Sequence, residues 1–258
     1  MRTTVTGARP GPLSAACTAA GNYHRGMSAI ELVPGVFRIP TIGRSAVNSF
    51  AFVEDDGSVT LVDCGVAKAP PRIVAGLAAM GKRPADVNRI VLTHAHPDHV
   101  GGAASLSAST GAPVFLHADD VPYAAAGRKP VADASFLSGR LFNRLPGGTF
   151  SPFSATAFTD GELLDVAGGL RVLHTPGHSP GHVSLLHEPT RLLITGDALM
   201  NVLGTRLSPR LLCSDFRLTQ RSVHVLGEVE YDIAAFTHGP EIRSGARSRI
   251  RSYLQRIQ

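Results

Sequence analysis

Thr93-His94-Ala95-His96-Pro97-Asp98-His99 places four side chains of metal-binding chemistry within six residues. Imidazole nitrogen and carboxylate oxygen together suit borderline divalent ions, zinc above all. In extended backbone His94 and His96 point to one side of the chain, because side chains alternate along a strand. Asp98 and His99 then begin the next element, where they can face a second point nearby. The flanks agree. Arg89-Ile90-Val91-Leu92 reads as a buried strand, and Val100-Gly101-Gly102-Ala103-Ala104 as the opening of a helix. Any one of the chain's 11 histidines would carry little weight alone. Four ligand types at this spacing carry a great deal.

Three further candidates stand in matching contexts. Leu170-Arg171-Val172-Leu173-His174 reads as a strand that runs into Thr175-Pro176-Gly177-His178. Arg191-Leu192-Leu193-Ile194-Thr195 is followed by Gly196-Asp197, and Asp232-Ile233-Ala234-Ala235-Phe236-Thr237 ends at His238-Gly239-Pro240. Each candidate thus lies just past the C-terminal end of an apolar run and beside a glycine. Layered folds assemble sites from separate loops at that edge. Seven ligands exceed the needs of one tetrahedral ion and suit two ions that share a carboxylate.

With these residues in hand, the chain resembles the metallo-β-lactamase-fold hydrolase superfamily from about Ile30 to the C-terminus. The resemblance is to its glyoxalase II and lactonase-like branch, which carries a bridging Asp. It implies a four-layer αββα sandwich with the metal site at one edge, between the two sheets. It implies that His94, His96 and His178 hold one ion, that Asp98, His99 and His238 hold the other, and that Asp197 bridges them. The ions would be zinc, with iron or manganese as alternatives. Asp63, in Leu61-Val62-Asp63-Cys64-Gly65, matches the family's strand-end Asp; it and Thr93 would orient the ligands from behind. The implied reaction is hydrolysis of an ester, thioester or lactone by a hydroxide shared between the ions, with Asp98 also ferrying a proton to the leaving group.

Departures from the family's branches narrow this reading. Asp197 stands where one large group of true β-lactamases has Cys, which disfavours β-lactam hydrolysis. His96 stands where flavodiiron proteins have Glu. Only 20 residues follow His238, which leaves out the helical glutathione-binding domain of glyoxalase II. Met200 occupies the place of a Tyr found in quorum-quenching lactonases. The alternatives are a mononuclear iron persulfide dioxygenase of the same fold and a non-catalytic binding module; the complete ligand set speaks against the latter.

Composition fits one enzyme domain over residues 27–258. Of 258 residues, 43% are hydrophobic and 17% charged, enough for a substantial core. The formal charge is +5. Much of the excess lies in Arg243, Arg247, Arg249, Arg251 and Arg256, interleaved with Ile250, Tyr253, Leu254 and Ile257 at helical spacing. That pattern reads as a solvated helix face, and no nucleic-acid partner is expected. Cys17, Cys64 and Cys213 form no disulfide framework, which points to a reducing, cytoplasmic setting. No apolar run approaches the ~20 residues of a membrane span. Residues 1–26 are expected to be a loosely ordered extension.

A coarse pass gives two similar halves. Strands are expected near 36–39, 49–53, 59–62, 90–92 and 114–116, then near 170–174, 183–187, 191–195 and 233–237. Helices are expected over 71–80, 217–227 and 241–256. His117, His174, His187 and His224 are assigned to packing or surface. Between the halves, residues 119–159 form an apolar insert, the expected lid and owner of specificity toward a small acyl substrate. Tyr123 and Phe142 in that insert, with Met200, are the pocket candidates.

Overall fold

In Val47–Val53, Phe50 and Phe52 point one way and Ala51 the other, and all three are fully buried. A strand with no wet face belongs to a sheet covered on both sides. The computed structural model, which describes residues 29–257, has that arrangement. The expected extension over residues 1–26 lies outside the described residues.

The first sheet holds β1 (Ile30–Val33), β2 (Val36–Ile42), β3 (Val47–Val53), β4 (Val59–Val62), β5 (Val87–Val91), β6 (Val114–His117) and β7 (Thr156–Phe158), in that spatial order. Its first four strands are antiparallel, and β4 to β7 run parallel. The second sheet is built from β8 (Leu163–Leu164), β9 (Leu170–His174), β10 (Val183–His187) and β11 (Leu192–Ile194). After the hairpin β12 (Leu199–Asn201) and β13 (Thr205–Leu207), β14 (Ile233–Ala235) pairs parallel with β11.

Among the described residues there are seven short α-helices, in chain order α1 (Pro70–Ala79), α2 (Pro97–Val100), α3 (Ala103–Thr110), α4 (Val121–Ala126), α5 (Leu137–Phe142), α6 (Phe216–Ser222) and α7 (Ala246–Leu254). Alternation along the strands sorts the apolar residues into three packed layers. Phe50, Phe52, Val62 and Val91 meet Val172, Val183, Leu185 and Ile194 between the sheets. Ala51, Leu61 and Ile90 face Ile73, Leu77 and Leu106 of α1 and α3. Leu173, Leu186 and Leu193 face Ile250 and Leu254 of α7. The molecule is the αββα sandwich.

Three expectations shift in detail. The last helix starts at Ala246 rather than 241, because Ile242 is drawn into a bridge with Ala234 and Gly245 takes a left-handed φ of 61°. The helix expected over 217–227 splits into α6 and a 3-10 turn over Val223–Gly227. The insert expected over 119–159 ends in a sheet strand, β7, which buries Phe158 between the sheets. Its remaining residues form α4, α5 and irregular loops. Among the described residues no helix is long and apolar enough to cross a membrane.

A polar clasp joins the sheets at the edge where the ligand-bearing loops emerge. The Asn48 side-chain amide donates to the carbonyls of Phe236 (2.9 Å) and Gly239 (3.0 Å), and its backbone N–H donates to Thr237 (2.9 Å). Arg38 in turn donates to Asn48 Oδ1 and pairs with Glu241 at 3.0 Å. Asn48→Ala leaves buried carbonyls unpaired and is expected to cost about 1–3 kcal/mol. Urea denaturation measures this loss, and an unchanged midpoint would contradict the clasp.

Candidate metal centre

All seven sequence-derived ligands converge at one edge of the sandwich. Atoms of His94, His96 and His178 lie within 4.8 Å of one another, as do those of Asp98, His99 and His238. His94, His99 and Asp197 form a third such group that joins the other two. His94 and His96 sit in the segment between β5 and α2, while Asp98 and His99 lie in the first turn of α2. His178 follows β9, Asp197 follows β11, and His238 follows β14. Asp197 is central: Oδ2 lies 3.3 Å from Nε2 of both His178 and His238, and Oδ1 lies 3.4 Å from His99 Nε2.

The glycines beside these residues have a steric role. Gly196 has φ 52°, and a Cβ there would strike His182 Nε2. Gly239 has φ 107°, and a Cβ there would strike the Asn201 backbone. Both positions thus combine a left-handed backbone with close contact, which only glycine tolerates.

Hydrogen bonding from behind fixes which imidazole nitrogen faces inward. Asp63, in a left-handed backbone with φ 60°, accepts from Thr93 N–H (2.8 Å) and from the Thr93 hydroxyl (2.8 Å). It also accepts from His99 Nδ1 at 2.9 Å. The Thr93 oxygen, its proton committed to Asp63, accepts from His94 Nδ1 at 3.0 Å. His238 Nδ1 donates to the Ala46 carbonyl at 2.7 Å. His94, His99 and His238 therefore each turn Nε2 inward, and each of these atoms is buried without a hydrogen-bond partner. An orphaned acceptor in a protein interior costs free energy that a cation removes. The pairing of an outward N–H to oxygen with an inward lone pair is that of metal-binding histidines. His96 Nδ1 and His178 Nε2 face each other at 2.7 Å. The donor set fits divalent metal.

Electrostatics point the same way. Burial, reinforced by neighbouring imidazoles, holds His94 and His178 well below the ordinary histidine range. Burial takes His96 down to about 4. His99 and His238 go the other way: burial opposes their charging, but Asp197 and Asp98 outweigh it and raise them to about 9 and about 11. Asp197, penalised by burial yet drawn down by His238 and His99, stays a carboxylate. The edge thus sets the neutral imidazoles of His94, His96 and His178 beside carboxylates that hold protons on His99 and His238, protons that a bound cation would displace.

Four contributors carried no motif in the sequence. Asp120, fully buried, accepts from Ala95 N–H (2.8 Å), the Ser179 hydroxyl (2.6 Å) and Gly181 N–H (2.7 Å). It ties the loop of His94 and His96 to the loop of His178. His182 Nε2 accepts the Asp197 backbone N–H at 2.7 Å while its Nδ1 donates to Thr175. Thr237 donates to Asp197 Oδ1 at 2.6 Å, and the buried Cys213 thiol lies 3.9 Å from His178 Nδ1. The one available signal was Asp120's place just after an apolar strand, the same context as the ligands.

The pocket candidates lie on three separate elements. Tyr123 packs against the core beneath α1 and α3. Met200 is buried in β12. Phe142 ends α5, with its ring 4.2 Å from Lys129 Nζ.

Comparison with known proteins places this geometry in context. The profile of the Metallo-beta-lactamase superfamily matches residues 42–251. The chain is 27% identical over 192 residues to the probable metallo-hydrolase YybB of Bacillus subtilis (strain 168), covering 74% of this chain and 80% of that protein. It is 32% identical over 176 residues to a hydroxyacylglutathione hydrolase of Cereibacter sphaeroides, covering 66% of this chain and 56% of that protein. A metallo-beta-lactamase family protein from Thermus thermophilus, known from its crystal structure, superposes with a TM-score of 0.68 at 29% identity, covering 88% of this chain and 80% of that one. Sequence match, fold and the convergent His/Asp edge agree, and the chain belongs to the metallo-β-lactamase superfamily.

Proposed function

We propose that this protein is a dinuclear-metal hydrolase of an ester, thioester or lactone. The observation that carries the reading is the Asp197 carboxylate, set between two ligand groups in which His94, His99 and His238 turn inward a buried Nε2 with no hydrogen-bond partner. His94, His96 and His178 would hold one ion and Asp98, His99 and His238 the other, with Asp197 shared. Divalent ions held there supply Lewis-acid polarisation of a substrate carbonyl and lower the pKa of water.

The chain's own residues supply position and proton handling. Asp63 and Thr93 keep His94 and His99 in their working tautomers. Asp98 is the most exposed of the seven, with its side chain 36% accessible and Oδ2 3.4 Å from His238 Nε2. It is the group placed to pass a proton from Oδ2 to a departing alcohol or thiol. The match to a hydroxyacylglutathione hydrolase supports the thioester among the three bond types.

Two outcomes follow. His96→Ala and Asp197→Ala are expected to lose bound metal and at least ~10²-fold in turnover of aryl ester, thioester and lactone panels, with metal read by plasma mass spectrometry. Full turnover by metal-depleted variants would sink the proposal; one iron with oxygen uptake would favour the dioxygenase. Asp120→Asn sets an amide N–H₂ against an N–H or O–H donor at a buried position. It is expected to lower kcat and metal retention roughly 10–100-fold, measured by steady-state kinetics beside metal analysis. Wild-type values for both would remove Asp120 from the positioning framework.

A further inference from the structure

Two imidazoles outside the seven-residue centre meet across the sandwich. His117 ends β6 in the first sheet, and His174 ends β9 in the second. Their rings stack with centroids 4.1 Å apart and planes 18° apart. Asp119, two residues beyond His117, adds a carboxylate. One ligand atom from each of the three lies within 4.8 Å of the others.

Hydrogen bonding defines where the lone pairs are. His174 Nε2 lies 2.9 Å from the Pro180 carbonyl, which can only accept, so Nε2 carries a proton and Nδ1 is the nitrogen left to act as a ligand. His117 Nδ1 accepts a long 3.3 Å contact from the Asp119 backbone N–H, so this nitrogen is unprotonated. The same nitrogen is 3.8 Å from Asp119 Oδ2, a second acceptor. Burial and the adjacent His174 hold His117 below the usual histidine range and keep it neutral. Asp160, whose Oδ1 accepts the His174 backbone N–H at 2.8 Å, puts another carboxylate beside the pair.

A pair serving packing alone would need no carboxylate and no particular tautomer. Here one ligand atom from each of two imidazoles and a carboxylate converges, met only by the long N–H contact of Asp119, and the outward N–H of His174 is anchored on a carbonyl, as in metal-binding histidines. The Asp119 side chain is 58% accessible, so a cation reaches the cluster from solvent without opening the core.

We propose that His117, His174 and Asp119 form a further metal site, separate from the seven-residue centre, which takes a borderline divalent ion such as Zn²⁺ and staples β6 to β9. Two imidazoles and a carboxylate suit such an ion, leaving a fourth position for water. The consequence reaches the main centre through the chain. Asp120 directly follows Asp119, and the His174–Pro180 bond closes the loop that carries His178. An ion bound here therefore stiffens the loops that position ligands, while donating no group to the reaction.

The test is zinc uptake by metal-free protein, followed by calorimetry and by plasma mass spectrometry of the saturated chain. Wild type is expected to bind one Zn²⁺ more per chain than the His117→Gln/His174→Gln double variant. Asp119→Asn alters one exposed carboxylate and leaves the core untouched; it is expected to weaken that extra ion at least ~10-fold. The zinc-induced rise in melting temperature should shrink in both variants, with circular dichroism confirming that each is folded. Equal zinc stoichiometry and affinity in wild type and Asp119→Asn would overturn the proposal, whatever the double variant does.

Discussion

The Asp63 carboxylate accepts hydrogen bonds from Thr93 and His99, and through Thr93 it sets the proton on His94. Asp63 belongs to the end of β4 and the ligand run to the end of β5, neighbours in a parallel pair. One buried carboxylate thereby aligns two ligands and stitches together the two strand ends that deliver them. Its left-handed backbone is a tolerable strain for Asp, whose short polar side chain visits that region more readily than most. The energetic logic is one of compensation. Burying an ionised carboxylate is costly, and several charge-assisted hydrogen bonds offset that cost.

The second sheet completes the centre by the same device, with backbone amides and carbonyls in place of a carboxylate. His238 is set by the Ala46 carbonyl, and the Asp197 backbone by His182. Asn48 and Asp120 span the sheets, the one holding the His238 loop and the other the His178 loop. Neither sheet alone owns a complete ligand set. The centre therefore reports on the packing of Phe50 and Phe52 against Val172 and Leu185 as much as on its own residues. That dependence explains why a metal site so rich in polar groups lies at the margin of an otherwise apolar sandwich.

The seven candidate ligands were legible because four of them share a single run and the other three repeat one local pattern, an apolar strand followed by a glycine-flanked His or Asp. The layer order was legible in part for a similar reason: the near-continuous burial of β3 and β10 goes with apolar runs that leave no wet face. Asp120, His182 and Asn48 were not legible. Their roles rest on bonds to backbone atoms of other loops, from 7 to 191 residues away, and such bonds leave no spacing or composition in the chain. The pairing of His117 with His174 escaped likewise, since 57 positions separate two strand ends that only the sandwich brings together. Tyr123 shows the converse. An aromatic in an apolar insert suggests a pocket wall, and nothing in the sequence signals that one side of the ring also packs against the helix-side core. The start of α7 at Ala246 was hidden because a single bridge from Ile242 to β14 outweighs helix propensity in the residues before Gly245.

The claim on which the rest turns is that this edge holds two ions with Asp197 between them. Anomalous diffraction at the zinc edge, from crystals of the zinc-loaded protein, addresses it most directly. The account predicts two anomalous peaks within this ligand set, one beside His94, His96 and His178 and the other beside Asp98, His99 and His238, with a carboxylate oxygen of Asp197 on each. A single peak at full zinc loading, or two peaks that leave Asp197 uncoordinated, would contradict it.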